Sequence, residues 1–271
     1  MIIFKVGGGS AINWEGVVRG LAGVEEPYVV VPGANALRDR VSKALGRPAR
    51  RVVSKSGYES VLTGREELET MMMTYAGLRN KSLVESLRAH GVNALGVCGI
   101  DGGIVSGKRN PGFRVCEEGR VRIERDLSGR PRQLSKPLVA TPLGDGYRLV
   151  LSVPIADEEG RAMNTENDEI VALLARELKA QRVYQFIEAP GLLEDPRKPE
   201  TLLRRITPEE LTSWERVVEG RMKRKLHALG KLFQEGSPRV VISDGRAQDP
   251  LGDALRGGGT VIERRKDDAQ R

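Results

Sequence analysis

The chain reads as an α/β protein built on a mainly parallel sheet covered by helices. Two observations carry that reading. Short apolar runs rich in β-branched residues end in glycine and are followed by stretches with apolar positions at helical spacing. This order of strand, glycine turn and helix occurs twice within the first 45 residues, the rhythm of a parallel sheet packed between helices. In such sheets the turns at the strand ends are where ligands bind.

Met1-Ile2-Ile3-Phe4-Lys5-Val6 is the first strand, apolar except for one lysine, and it empties into Gly7-Gly8-Gly9-Ser10, where backbone can approach a ligand closely. A charge in an otherwise buried strand needs a partner, and a phosphate would supply one. The glycine spacing fits neither the Walker nor the Rossmann pattern. Residues 14–21 form an amphipathic helix, and Pro27-Tyr28-Val29-Val30-Val31 a second buried strand ending in Pro32-Gly33-Ala34-Asn35. Helical spacing resumes over 36–45. Residues 52–62 are polar, and Thr63 with Glu66 matches a capping box for a helix over 66–76, with another over 81–90. Met71-Met72-Met73 is expected to fill core space. His90, just before Gly91, suits the negative end of a helix dipole.

Residues 92–103 repeat the strand-then-glycine theme. Over 108–132 the chain is strongly charged, and Arg114-Val115-Cys116 and Arg120-Val121-Arg122-Ile123 around Glu118-Gly119 have the form of a hairpin. A strand over 147–154 precedes Met163-Asn164-Thr165-Glu166-Asn167-Asp168, which runs straight into helical spacing from Glu169 to Leu178. Two readings fit this polar stretch. The Asx residues cap a surface helix, or Asp168 holds a cation or orients a catalytic lysine at a helix end that favours an anion. Residues 182–188 form a strand ending in Ala189-Pro190-Gly191, Thr207-Pro208 starts a helix, and a further helix opens at Gly220 with Lys223-Arg224-Lys225 near its N-terminal end. Cations there oppose the dipole, so either an anion compensates or the stripe is solvated. A strand over 239–244 leads to Asp244-Gly245-Arg246, then a short helix to Leu255, a strand Thr260-Val261-Ile262 and a charged tail over 263–271.

With 271 residues the chain can bury a full core. Lys+Arg 44 against Asp+Glu 37 leave +7, which favours acidic or phosphorylated partners. Cys98 and Cys116 are the only cysteines, so the chain is no disulfide scaffold, and with two histidines it has no structural zinc set. No metal site formed by protein residues is expected. At 4% aromatic content and without a recognition motif, nucleic acid is not expected as a partner. No apolar run approaches the roughly 20 residues of a membrane span and the N-terminus lacks a signal-peptide layout, so a cytoplasmic protein is expected.

Together, Lys5-Val6-Gly7-Gly8-Gly9, Asn164 to Asp168, Glu188-Ala189-Pro190-Gly191, Gly220 to Lys225 and Ser243-Asp244-Gly245-Arg246 resemble the amino acid kinase superfamily, in its acetylglutamate kinase branch. They are most similar to kinases acting on aminoadipate or glutamate attached to a small acidic amino-group carrier protein. The resemblance implies a three-layer αβα sandwich as one domain over 1–262, with an acyl-substrate lobe over about 1–160 and an ATP lobe over about 161–262. It implies transfer of the ATP γ-phosphoryl group to a side-chain carboxylate, with Mg²⁺ bound through the phosphates, and a homodimer. On the matching positions, Lys5 and Lys225 stabilise the transferring phosphoryl group and Asp168 organises them. Asn164, Gly33 and Ala34 border the acyl substrate. Gly7, Gly8, Glu188, Gly191, Asp244 and Gly245 border ATP. The chemistry needs mostly positioning and cations, which lysines, glycine N–H groups and Mg²⁺ supply. The basic hairpin over 114–132 is the expected docking surface for an acidic carrier.

Three departures alter the substrate grip. The second glycine turn, His-Gly-Gly in the family, is Pro32-Gly33-Ala34. The arginine that holds the substrate α-carboxylate is replaced by Val61, with Lys55 and Arg65 as candidate substitutes. The family's Asn-x-Asp-Gly-Asp is Asn164-Thr165-Glu166-Asn167-Asp168. The pattern fits a kinase with a changed substrate, or a nucleotide-binding partner that has lost turnover.

Overall fold

The structure, a computed structural model, describes residues 1–264 apart from 49, 54–58, 118–119, 196, 218–219, 234–235 and 237. For 51–53, 59–60, 113–117, 120–122, 216–217 and 220–225 it describes the backbone alone. Lys55 and the tail from 265 onward therefore lie outside the described residues.

Among the described residues one 11-stranded sheet crosses the molecule. Its path runs Arg205–Ile206, Thr260–Ile262, Arg239–Asp244, Arg182–Ile187, Ile2–Val6, Tyr28–Pro32, Arg148–Ala156, Val105–Arg109 and Gly129–Leu134. Ala94–Gly99 and Ala162–Met163 also pair with Arg148–Ala156. Pairing is parallel from Arg239–Asp244 through the first strand to Ala94–Gly99, and antiparallel at Thr260–Ile262 and Gly129–Leu134. The expected αβα sandwich is borne out.

Side-chain alternation divides the core into two layers. Ile3, Val29, Val31, Leu149, Leu151, Val183 and Ile242 face one way, against Ile170, Leu173, Leu174, Leu226 and Leu229. Phe4, Tyr28, Val30, Val150, Tyr184 and Val241 face the other, against Val17, Leu21, Leu87 and Leu251. Phe4 anchors that second layer, stacked on Tyr184 and edge-on to Tyr28, with ring centroids 5.4 Å apart in both pairs. Lys5 shares the facing of Ile3, so its side chain points toward the helix Asn167–Glu177.

Several local expectations change. The helices expected over 66–76 and 81–90 form one rod, Arg65–Met71, a π-helical segment Met72–Arg79, and Asn80–Ala89. Of the three methionines only Met71 is buried, while Met73 is 47% exposed, because the wider π turn rotates the run off the core. A helix Lys136–Gly144, unanticipated because Pro137 and Pro142 interrupt its pattern, covers the sheet beside Arg148–Ala156. The charged hairpin is present as Phe113–Glu117 paired antiparallel with Arg120–Glu124. His90 closes its helix, with Nδ1 2.9 Å from the Ser86 carbonyl oxygen. Cys98 is a buried free thiol, and the Cys116 side chain lies outside the described residues. No described helix is long and apolar enough to cross a membrane.

Candidate active site

The lysine of the first strand has found its partner. Lys5 Nζ lies 3.0 Å from Asp168 Oδ1 and donates a hydrogen bond to Oδ2 at 3.2 Å, with side chains 11% and 22% exposed. Taking an ammonium that far out of water is tolerable only beside a counter-charge. The pairing bears on the capping reading of the polar stretch. The N-cap of helix Asn167–Glu177 is Glu166, which makes no side-chain cap bond. Asp168 is turned to Lys5, and Asn167 Nδ2 donates to the Pro32 carbonyl oxygen at 3.2 Å. Neither Asx side chain caps the helix, so the N–H groups of its first turn are left without a side-chain cap.

Those strand ends carry the glycine turns, packed backbone to backbone. A Cβ on Gly8 would sit 2.5 Å from the amide nitrogens of Ala34 and Asn35, and one on Gly33 would sit 2.5 Å from Gly8 N. Gly33 N donates to Val6 O at 2.7 Å and Ala36 N to Gly8 O at 2.8 Å, tying the turns together. Gly7 N donates to Phe186 O at 2.8 Å. The Glu188 carboxylate lies over Gly9 and accepts from Ala11 N at 2.6 Å. Lys5, Gly7, Gly8, Gly33, Ala34 and Glu188 thus meet at the carboxyl edge of three neighbouring parallel strands.

Asn164 follows the short strand Ala162–Met163, beyond the glycine turns. Its Nδ2 donates to Thr63 Oγ1 at 2.9 Å, and its backbone N donates to Leu127 O at 2.8 Å. Thr63 is therefore no helix cap. Gly64 occupies that position, and the Thr63 amide donates to Asp126 Oδ2 at 3.1 Å. Val61 ends the short strand Glu59–Val61, two residues before Thr63, so that position itself carries no charge. Sequence reasoning missed Thr63 as the Asn164 partner, the Asn167 clamp on Pro32, and the buried Tyr75 hydroxyl that donates to Asn35 Oδ1 at the second turn. Each is a contact across the sheet edge that no local pattern encodes.

On the other side, Gly191 packs against Thr260, whose Oγ1 accepts from Leu192 N at 2.9 Å. Asp244 is in register with Ile187, next to Glu188, and Arg246 pairs with it at 2.6 Å. That hydrogen bond holds the Asp244 carboxyl below the usual carboxylate range despite partial burial. Gly245 packs on Ile12 and Phe186, and its carbonyl accepts from Asn13 N at 2.8 Å. Lys225 belongs to helix Gly220–Leu232, and its side chain lies outside the described residues. That helix packs on the Asp168 helix through Leu226 and Leu229, and Lys231 pairs with Glu169, the neighbour of Asp168.

The chain matches the model of the amino acid kinase family over residues 1–244. It is 38% identical over 266 residues to the [LysW]-aminoadipate kinase of Deinococcus radiodurans, covering 97% of this chain and 91% of that one. It is 31% identical over 264 residues to the acetylglutamate kinase of Methanopyrus kandleri, covering 97% and 100%. Among solved structures it superposes on N-acetylglutamate synthase from Neisseria gonorrhoeae with a TM-score of 0.78 at 19% identity, over 97% of this chain and 59% of that one, a likeness of fold. With the glycine turns, the buried lysine and its aspartate in place, the chain belongs to the amino acid kinase family.

Proposed function

We propose that this chain transfers the γ-phosphoryl group of ATP to the side-chain carboxylate of a blocked acidic amino acid, aminoadipate or glutamate borne by a LysW-like carrier. A carboxylate oxygen attacks the γ-phosphorus, ADP leaves, and an acyl phosphate of lysine- or arginine-type biosynthesis results. The observation that carries the reading is the half-buried Lys5–Asp168 pair beside the interlocked Gly8 and Gly33 turns.

Asp168 holds the Lys5 ammonium at the cleft, where it offsets charge on the equatorial oxygens of the migrating phosphoryl group. The Gly8 and Gly33 turns let backbone N–H groups approach the same oxygens. Lys225 is the second cation, reaching in from the helix packed on the Asp168 helix. Asn164, held by Thr63, orients the acyl group. Glu188, Gly191, Asp244 and Gly245 border the nucleotide. Asp168 already pairs with Lys5, so the described residues fit a Mg²⁺ that would be held chiefly through the nucleotide phosphates and would supply further charge neutralisation. The acyl lobe spans about 1–160 and the ATP lobe about 161–262, and the enzyme works in the cytoplasm as a homodimer.

Val61 and the Pro32-Gly33-Ala34 turn favour a second reading, a kinase of this family with a different carboxylate acceptor. Purified protein with ATP, hydroxylamine and either carrier-linked glutamate or carrier-linked aminoadipate should form a hydroxamate and one ADP per acyl group. Hydroxamate from another blocked dicarboxylic acid alone would select the second reading. Tight ATP binding without any turnover would leave a non-catalytic partner.

A further inference from the structure

The helical rod of Arg65–Met71, Met72–Arg79 and Asn80–Ala89 is pinned on both sides of its π-helical segment by buried polar groups. Before the segment, buried Glu67 faces Arg38 Nε of the helix Asn35–Ala44 at 3.3 Å. Arg38, also buried, holds Asp39 at 2.7 Å. After the segment comes Asn80, which has no exposed surface. Its Nδ2 donates to the carbonyls of Val97 at 3.0 Å and Val150 at 2.9 Å and to Ser152 Oγ at 2.9 Å, which ties the rod to the sheet. Tyr75 lies between these two anchors.

The π turns decide where Tyr75 points. On an α-helix, at about 100° per residue, residues five apart lie about 140° apart around the axis. In a π turn the hydrogen bond between residues five apart brings them nearly onto one face. The Asn80 amide donates to the Tyr75 carbonyl, a bond of that span, and both side chains are buried. The Tyr75 hydroxyl donates to Oδ1 of Asn35, the first residue of helix Asn35–Ala44. The entrance of that helix is the second glycine turn itself. Ala36 N donates to Gly8 O at 2.8 Å, and a Cβ on Gly8 would sit 2.5 Å from the Asn35 amide nitrogen. Tyr75 therefore reaches the contact between the two glycine turns through a single residue.

We propose that Tyr75 is a positioning residue of phosphoryl transfer, setting through Asn35 how the second glycine turn meets the Gly8 turn. The proposal rests on the kinase reading above. π-Helical segments are rare and occur frequently at functional sites. A buried ion pair such as Arg38–Glu67 is weak ground for stability, since apolar residues of similar volume often serve as well, and what it supplies here is orientation. Pro32 has no N–H with which to tie the turn. The turn is held instead by Asn167 on the Pro32 carbonyl and by Tyr75 on Asn35.

The test uses the full chain with Tyr75→Phe, Asn35→Ala and the two together. Asn35 is exposed, so Asn35→Ala should fold even where Tyr75→Phe does not. In ADP formation each single variant should lower kcat about tenfold while KM for ATP moves less than about twofold, because misplaced turn amides cost most at the transferring phosphoryl group. The double variant should match the singles, since both remove one contact. Backbone amide exchange followed by NMR reads the turn without turnover. Exchange at Ala34 and Asn35, relative to residues 170–175 of the Asp168 helix, should rise about tenfold in each single variant, whereas a loss of stability alone would raise both sets together. An unchanged ratio, losses in kcat that multiply in the double variant, or a raised KM for ATP at the parent kcat overturns the proposal. If the parent phosphorylates no carboxylate while the exchange ratio still rises, the kinase reading falls and the hold of Tyr75 on the turn stands.

Discussion

Lys5 was conspicuous in the sequence because a charge in an apolar strand demands a partner, but the residues alone pointed to a phosphate. The resident partner is Asp168, 163 positions away, and only the family resemblance linked the two. Asn167 was less legible still: an Asx residue before a helix reads as a cap, and its bond to Pro32 exists only because the sheet edge brings the turn there. The pair makes a specific kinetic prediction. Lys5→Met should lower kcat by about 10²–10³-fold, the scale of one lost transition-state donor, with a smaller change in KM for ATP. Asp168→Asn should lower kcat by a similar factor, because the ammonium loses the group that aims it. The double variant should be little worse than either single one, since both remove the same interaction. Additive losses in steady-state kinetics would show that Asp168 acts apart from Lys5.

Elements were legible where burial on both faces left a run apolar at all or all but one position, as in Tyr28–Pro32 and Ile2–Val6. They were illegible where prolines interrupt a helix, as in Lys136–Gly144, or where a π turn shifts the periodicity, as in Met72–Arg79. The glycine turns lie between these cases. Their composition suggested close backbone approach, but the approach is first of all between the two turns themselves. Gly8→Ala would bring a methyl within 2.5 Å of two amide nitrogens, so the turns must part. ATP affinity by calorimetry should fall at least tenfold, or about 1.4 kcal/mol. Gly144→Ala is the control, since a Cβ there meets nothing within 4 Å, and it should bind ATP as the parent does.

Across the whole molecule, burying the sheet between two helical layers also buries groups that ionise in alkali. Burial pushes Tyr28 and Tyr75 up to about 12 from 10.0, partly offset by Arg148 and Arg38 respectively. Cys98 rises to about 11 from 9.0 through burial and the neighbouring Asp101. The folded chain therefore keeps these protons at pH values where the unfolded chain has released them. The difference in bound protons, unfolded minus folded, is negative from about pH 9 upward, so stability falls as pH rises. Cys98 acts between about pH 9 and 11 and the tyrosines between about 10 and 12, each contributing a slope of up to about 1.4 kcal/mol per pH unit. Urea unfolding should give a flat ΔG from pH 7 to about 8.5 and a decline that steepens above pH 10. Cys98→Ala should flatten the first part of that decline and Tyr75→Phe the second. Tyr75→Phe should also cost about 1 kcal/mol at neutral pH, where the hydrogen bond to Asn35 is lost. A Tyr75→Phe profile parallel to the parent above pH 10 would mean that its hydroxyl ionises in the fold as freely as in the unfolded chain.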